Sequence, residues 1–458
     1  TLWHTLSLHD ALPIWQYHRF GDVGPHWGFG NQLLFWRVGR FDHKAAAYAA
    51  WLLKGMKPRG HILSYILMDE PLPPPVVPGS QLFMQGEAVF REPEDSPLSL
   101  GAALYNITCN AEWHTHEEVN AISCAAYGVR LFVNGGWLGD EMRPPWRNNT
   151  LSVDGKRHAS KTGNGIVDGL LGDGFDYACG HSGSALGDDS FRRSLVMIHG
   201  RNGCGGYFVV VDNVDADPGE SVNLYLQLAS ESPIEKVTER REYLADINHH
   251  AQVKGVKLSV FYATEPQAVK QDLVPSGDLV RSPESGKHYR LESLYRVNAE
   301  GGARIATVLF PHDRAHPKAV MRRLSGDGLA GVSVRHGDGF VDSVYVSDGE
   351  SVHQADGFSF RAGIAIVRRG PDGPLFYFAG QSRRFTAGRH GFECDVPMSI
   401  YTKARRSWVT SPNGGELTLR APGIREVRID GNAVAPLDTG DGWVRFALDP
   451  GRHEIEMR

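Results

Sequence analysis

The hydrophobic pattern near the start of the chain has the period of α-helices. Apolar side chains recur at helical spacing over residues 32–38 and 45–52, and more weakly over 62–68. Asn31 and Asp42 stand where N-cap residues belong, ahead of the first two stretches. Two or three helices bury their apolar faces poorly by themselves, so this region is predicted to end a larger helical domain.

The pattern changes after a proline-rich stretch at 71–78. Prolines this dense exclude a helix and a central strand, so a domain boundary is expected there. Beyond it, apolar and polar residues alternate with the period of strands, which predicts stacked antiparallel sheets and an α+β multidomain fold class. Short strands after about residue 411 are interpreted as a separate small β module. Three hairpins are predicted, at 195–199 with 207–211, 289–297 with 303–310, and 364–367 with 375–379.

Composition narrows the function classes only a little. The net charge of -5 argues against a nucleic-acid partner, which would favour a basic face. Five widely spaced cysteines without a CxxC pair indicate neither a disulfide scaffold nor a thiolate zinc site. No run of residues is apolar and long enough to predict a membrane span.

The first fourteen residues call for a separate interpretation. Residues 5–14 resemble one reading frame of a common sequencing-library adapter, so residues 1–14 are interpreted as non-native and are left out of functional reasoning. The chain is therefore expected to begin within a longer protein.

The segment with the most chemistry is Trp113-His114-Thr115-His116-Glu117-Glu118-Val119-Asn120. If it is extended, every second side chain shares one face, and a row that polar is not expected to point into a core. A strand-like run ending at Asn134 follows, and then a stretch from Arg147 through Asn148 and Asn149 to Gly155. Arg147 is a candidate for binding a substrate carboxylate, because a guanidinium matches that geometry.

This order of motifs resembles the β-sandwich domain of heparinase II/III-like polysaccharide lyases. The family shows H-x-H-x-D, an apolar strand ending in Asp-x-Gly, and a His-Asn-Thr strand leading to Val-Asp-Gly, and the likeness covers about 18–230. Phe20-Gly21-Asp22 resembles the Gly-Asp motif near the end of the family's helical toroid. The resemblance implies a partial α/α toroid followed by a large antiparallel β-sandwich. The predicted division is a non-native segment at 1–14, a toroid fragment at 15–70, a linker at 71–95, the sandwich at 96–410 and a small β module at 411–458.

The resemblance also implies an activity, which is cleavage of a uronic-acid polysaccharide by β-elimination. His114 matches the catalytic histidine of the sandwich, and the remaining Tyr and Asn-His groups belong to toroid helices that the chain is expected to lack. His116, Asn134 and Asn148 match the family's structural metal positions. Two of these are amides where the family has Asp and His, so zinc is possible by resemblance but no cofactor is expected to bind.

Two other interpretations stay open. The first is a non-catalytic carbohydrate-binding or architectural sandwich, which the amides at 134 and 148 favour. The second is a glycoside hydrolase using two carboxylates, although Glu117, Glu118, Asp140 and Glu141 form no pair at a recognisable spacing. The main hypothesis remains a lyase acting on an acidic polysaccharide in the periplasm or outside the cell.

Overall fold

A computed structural model describes Ala47, Val76 and residues 79–458, with gaps at 94–98, 110–114, 135–138, 201–204, 250–252, 277–285, 327, 338, 389, 421–422, 425, 436–437 and 441. Ala47 is helical and buried, and its carbonyl accepts a hydrogen bond from the backbone N–H of Val76 (3.1 Å). The rest of the predicted toroid fragment at 15–70 lies outside the described residues, as does the non-native segment at 1–14.

The described part of the chain is built almost entirely from strands. The first seventeen are β1 (Gln81–Phe83), β2 (Glu87–Arg91), β3 (Gly101–Tyr105), β4 (Ala121–Ala126), β5 (Val129–Arg130), β6 (Leu151–Val153), β7 (Ile166–Gly172), β8 (Phe175–His181), β9 (Ser190–Ile198), β10 (Tyr207–Asp215), β11 (Ser221–Gln227), β12 (Glu235–Thr238), β13 (Glu242–Asp246), β14 (Lys257–Tyr262), β15 (Ala268–Pro275), β16 (Lys287–Arg296) and β17 (Gly302–His312). The later strands are β18 (Val320–Gly326), β19 (Leu329–Arg335), β20 (Val341–Val346), β21 (His353–Ala355), β22 (Phe358–Gly370), β23 (Gly373–Ala387), β24 (His390–Lys403), β25 (Arg406–Ser411), β26 (Gly415–Arg420), β27 (Val427–Ile429), β28 (Asn432–Val434), β29 (Asp438–Gly440), β30 (Trp443–Leu448) and β31 (Gly451–Met457). Two short 3₁₀ helices, Gly139–Met142 and Pro145–Arg147, precede β6.

These strands form four antiparallel sheets. Strands β1 to β5 make a meander, and a four-stranded sheet has the order β15-β16-β11-β6. An eight-stranded sheet has the order β12-β13-β14-β17-β10-β9-β8-β7, and the strands from β18 onward form the largest sheet. The sequence prediction of antiparallel β structure is confirmed for the described residues.

The sheets stack with the eight-stranded sheet in the middle. One of its faces packs against the meander and the four-stranded sheet, and the other packs against the largest sheet. Phe208 and Val210 of β10 enter the first of these cores, while Tyr207 and Val209 enter the second. A strand buried on both faces needs apolar residues at every position, which explains the run YFVVV in β10. We call this eight-stranded sheet the middle sheet.

Two of the three predicted hairpins are confirmed and one is wrong. Strands β9 and β10 pair with Ile198 opposite Tyr207, and β22 and β23 pair with Ile366 opposite Phe378. Strands β16 and β17, by contrast, belong to different sheets. The turn between them carries the chain from one layer to the next, and Asn298 fixes it by accepting hydrogen bonds from the N–H groups of residues 300 and 302 (both 2.9 Å).

The strands after residue 411 continue the largest sheet. Strand β26 pairs with β24, and β31 pairs with β25, so hydrogen bonds cross the predicted start of the small β module. Apolar side chains of these strands share one core with β22, β23 and β24. Across the described residues, no helix has the length and apolar character needed to cross a membrane.

Candidate functional site

The polar segment around the predicted site folds as a loop rather than as the expected strand. Residues 115–120 lead into β4, which begins at Ala121. His116, Glu118 and Asn120 are fully buried, so the prediction that this row would avoid the core is wrong. His114 lies outside the described residues, and its role as the catalytic histidine stays a prediction.

Asn120 shows how the loop fits into the interior. Its φ is 56°, in the left-handed region that asparagine tolerates better than most residues. Its side-chain oxygen accepts a hydrogen bond from Asn106 Nδ2 (2.6 Å). A Cβ on Gly180 would lie 2.2 Å from that oxygen, so glycine is required where β8 passes the loop.

Two of the predicted metal positions meet directly. The Nδ1–H of His116 donates to Asn148 Oδ1 (3.2 Å). Asn148 Nδ2 donates to the carbonyls of Pro144 (2.9 Å) and Arg143 (3.3 Å), which fixes the amide with its oxygen toward the imidazole. Asn148 follows the second 3₁₀ helix, and its own backbone N–H closes that turn on Pro145.

The third position, Asn134, joins the same region through the neighbouring amide. Asn149 Nδ2 donates to Asn134 Oδ1 (2.5 Å) and to the carbonyl of Val133 (2.9 Å). The Oδ1 of Asn149 accepts the backbone N–H of Gln227 (2.7 Å). Asn134 therefore contacts the residue after Asn148.

These residues do not fit a zinc ion. His116 is the single strong zinc donor among the three, and the two amides bring no negative charge. The amide group of Asn148 is already hydrogen-bonded to the imidazole and to backbone carbonyls. Within the described ranges, no three His, Cys, Asp or Glu side chains are grouped so that they could hold a metal.

Arg147 stands next to this network and beside a second arginine. Arg290 Nη1 donates to the carbonyl of Trp146 (2.8 Å), and its Nη2 donates to Asp272 (2.8 Å). Burial, and after it the positive charge of Arg290, lowers the pKa of Arg147. The buried Nε and Nη1 of Arg147 have no hydrogen-bond partner among the described residues. Arg290 is already ion-paired with Asp272 and Glu292, so Arg147 is the guanidinium whose unmatched donors favour an anion at this position.

Two residues that the sequence analysis did not single out extend the network. Gln227 Nε2 donates to the carbonyls of Trp146 (3.1 Å) and Asn148 (3.3 Å). Gln227 Oε1 lies 3.1 Å from the Nε2 of the buried His288. No local motif marks either residue, because they enter the site only through the pairing of β11 with β16.

A buried ion pair stabilises the two loops of the site. Arg193 donates to both carboxylate oxygens of Asp212 (2.6 and 3.0 Å), and its Nη1 donates to the carbonyls of Asn120 (3.0 Å) and Asn149 (2.8 Å). This pair is absent from the sequence prediction, although the two charged residues stand out in their strands. The pairing of β9 with β10 places Arg193 directly opposite Asp212, so two charges face each other within otherwise apolar strands.

Sequence comparison alone finds nothing: no protein-family model matches the chain, and no curated protein matches it. Comparison of the fold, by contrast, finds similar solved structures. A heparinase III with methylated lysines superposes over 76% of this chain with a TM-score of 0.55 and 16% sequence identity. The heparan sulfate lyase HepC from Pedobacter heparinus covers 73% of it, with a TM-score of 0.55 and 14% identity. Another heparinase III structure covers 75%, with a TM-score of 0.53 and 14% identity.

The chain spans about half the length of these solved structures, from 50% to 53%. The family resemblance predicted from the motifs is confirmed for the fold of the β part. At identities of 14% to 16%, the likeness shows the fold alone.

Proposed function

We propose that this chain is the β-sheet part of a polysaccharide lyase that cleaves a uronic-acid-containing glycan by β-elimination, in the periplasm or outside the cell. Its fold, shared with heparinase III and a heparan sulfate lyase, supports a glycosaminoglycan as the substrate class. The observation that carries the proposal is the half-buried Arg147 with two unmatched donors beside Arg290, next in sequence to the amide that binds His116.

The arrangement suits the first half of the chemistry. The C5 proton of a uronate becomes acidic enough to remove only when the charge of the adjacent carboxylate is neutralised. Arg147 would hold that carboxylate, with the ion-paired Arg290 beside it. His114 would remove the C5 proton, because an imidazole titrates near neutral pH. It precedes His116 by two residues in the sequence.

In the second half a C4–C5 double bond forms, the C4–O bond breaks, and the leaving oxygen takes up a proton from a group on the opposite side of the sugar. By the family resemblance, a Tyr and an Asn-His pair on toroid helices supply the groups on that side. We therefore assign the activity to a protein in which this chain works with a helical half. The division into a toroid fragment at 15–70, a linker at 71–95 and a sandwich at 96–410 is part of the same proposal, with 411–458 as a β module built onto the largest sheet.

The test is the rise in far-ultraviolet absorbance that an unsaturated uronate product gives. It is followed on several uronate polymers, for the chain itself and for a version extended by a complete helical half. In the extended version, H114A is expected to lower turnover by about a hundredfold or more, the usual contribution of an acid–base group. R147Q is expected to raise KM, and the exposed H390A and R335Q are matched controls.

Unchanged turnover in H114A contradicts the assignment of the catalytic histidine. A saturated product from an extended version that does cleave would instead indicate a hydrolase. The alternative function is a non-catalytic carbohydrate-binding relative, which the amides at 134 and 148 favour. That alternative predicts glycan binding that depends on Arg147, without product formation by either version.

A further inference from the structure

A row of polar side chains ends the apolar core between the middle sheet and the largest sheet. His181, Arg192, Asn213 and Arg304 stand side by side on β8, β9, β10 and β17, because each is paired in register with the next. Cross-strand neighbours of this kind have Cβ atoms roughly 5 Å apart on one face of the sheet. Two residues away along the same strands, Cys179 and Val211 belong to the apolar core.

The row lines a cleft of about 560 Å³ between the two sheets. Arg192 and Arg304 are exposed there, and Asn213 lies between them, so neither arginine has a carboxylate directly opposite in the register. Arg383 of β23 contributes a third guanidinium from the other wall. Three guanidinium groups that face one cleft can hold an anion between them, because a guanidinium matches the geometry of a carboxylate.

The cleft also contains hydrogen-bond acceptors that are buried and incompletely used. Asp168 is 5% exposed, and its Oδ2 accepts hydrogen bonds from Ser399 (2.6 Å) and Tyr177 (3.0 Å). Its Oδ1 has no partner in the described part of the chain, and the same holds for the buried Oδ1 of Asn213. Both residues line the cleft, so a ligand carrying hydroxyl groups could satisfy them.

The acidic residues at the rim are held by their own surroundings. Asp348 Oδ1 accepts the backbone N–H groups of Glu350 (2.8 Å) and Ser351 (2.9 Å), and Glu350 pairs with Arg361 (2.7 Å). Asp348 also acts electrostatically on Arg304, and Asp168 acts on Arg192. The exposed Asp215 is a further carboxylate in the lining. A wall that mixes guanidinium groups with fixed oxygen acceptors suits a ligand with one negative group and several hydroxyls.

We propose that this cleft is a second saccharide-binding site, in which Arg192 and Arg304 hold the carboxylate of an acidic sugar while Asp168 and Asn213 accept its hydroxyl groups. The volume lies within the range of small-ligand sites. The inference takes its ligand class from the proposed function, but the site itself is separate. Arg192 faces this cleft, whereas Arg193 faces the network around Asn149 on the opposite side of the same strand.

The experiment measures binding of a tetrasaccharide of alternating hexuronate and N-acetylhexosamine by calorimetry. R192Q/R304Q removes two charges from the cleft, and R322Q/R335Q removes two exposed arginines from strands β18 and β19 as the matched control. R147Q is measured in parallel to identify binding at the candidate active site. A neutral tetrasaccharide of the same length and inorganic sulfate serve as comparison ligands.

We expect R192Q/R304Q to weaken one binding event by about tenfold or more, the effect of losing charge-assisted hydrogen bonds, and to leave the event sensitive to R147Q unchanged. D168N is expected to weaken the same event. The proposal is overturned if R192Q/R304Q binds like the unmodified chain, if R322Q/R335Q loses as much, or if no binding is measurable. Equal binding of the neutral sugar, or competition by sulfate at the same concentration, also overturns it.

Failure of the proposed function would look different. If no unsaturated product forms while R192Q/R304Q still weakens binding of the acidic tetrasaccharide, the lyase assignment falls and the second site stands. If product forms and depends on His114 and Arg147 while R192Q/R304Q changes nothing, the second site falls and the lyase assignment stands.

Discussion

Arg192 and Arg193 are neighbours in the chain and have opposite surroundings. Successive side chains of a strand point to opposite faces, so Arg192 reaches the cleft and Arg193 is fully buried. Arg193 uses its guanidinium on the carboxylate of Asp212 and on two loop carbonyls. Those carbonyls belong to Asn120 and Asn149, so the buried arginine links the loop before β4 to the loop before β6.

Replacing Arg193 should therefore destabilise the protein strongly. R193M leaves the Asp212 carboxylate buried without its partner and two carbonyls without donors, and the expected loss is about 3 to 5 kcal/mol in the free energy of unfolding. Urea unfolding measures it. R192M is the control one position away and should change that free energy by less than about 0.5 kcal/mol. Similar losses for the two variants would contradict the buried position of the pair.

Asp168 should make stability depend on pH. Burial raises its pKa to about 6, although hydrogen bonds from Ser399 and Tyr177 oppose the shift. The folded state therefore holds the proton more tightly than the unfolded chain, whose Asp pKa is about 3.9. The contribution is full below pH 4 and is lost as pH rises to about 6, with a magnitude of roughly 3 kcal/mol.

D168N should remove that dependence, because an amide keeps an acceptor toward Ser399 and Tyr177 and carries no charge. Urea unfolding between pH 4 and pH 8 compares the slopes of the two proteins. The exposed D215N is the control and should keep the slope of the unmodified chain. An unchanged slope in D168N would show that another group causes the pH dependence.

Metal binding tests the alignment of His116, Asn134 and Asn148 with the family positions. We expect the unmodified chain to purify with little or no zinc, since one imidazole and two amides are a weak ligand set. N134D/N148H supplies a carboxylate and a second imidazole and is expected to gain stoichiometric zinc, measured by elemental analysis. N134D alone is the control. Stoichiometric zinc in the unmodified chain would contradict the ligand assignment.

Part of this site could be predicted from the sequence, and the rest could not. The order of motifs predicts that His116 and Asn148 lie in one region, and the structure brings them into contact. Each residue belongs to a short motif in a single loop. Gln227, His288 and Arg290 reach the same region from β11 and β16, whose pairing is set by sheet contacts across 60 residues or more. No pattern along the chain specifies that meeting.

At the scale of elements, alternation predicted strands well and their partners less well. The β9–β10 hairpin was correct because its two apolar runs are close in sequence and both lie in the middle sheet. Strands β16 and β17 have the same local pattern, but each is buried by a different layer, so they separate into different sheets. The loop at 115–120 was mistaken for a strand because buried polar residues can satisfy one another, which periodicity does not reveal.

The middle sheet should also differ from its own edge in local stability. The backbone of β10 is hydrogen-bonded on both sides and buried on both faces, whereas β12 is an edge strand whose side chains are all exposed. Hydrogen exchange followed by mass spectrometry should find the amides of β10 exchanging slower than those of β12 by on the order of a hundredfold or more. Equal rates would mean that the sheet opens as one unit.

At the scale of the whole molecule, composition and alternation were enough to predict stacked antiparallel sheets. They were not enough to predict that one sheet would be enclosed by the others. The cores on its two faces involve residues from Ala88 to Tyr401. An arrangement of that range depends on which faces find each other after the strands form, and no window of sequence contains it.

Enclosure on both faces also has an evolutionary consequence. A residue of β9 or β10 can change only if neighbours in one core adjust to it, so nearly every position is constrained. The ends of the strands, where Arg192 and Arg304 are exposed, are less enclosed and can change more freely. Proteins of this fold could thus change the ligand that they bind at the ends of the strands while the middle sheet keeps its structure. That is consistent with a TM-score of 0.55 between chains that share only 16% of their residues.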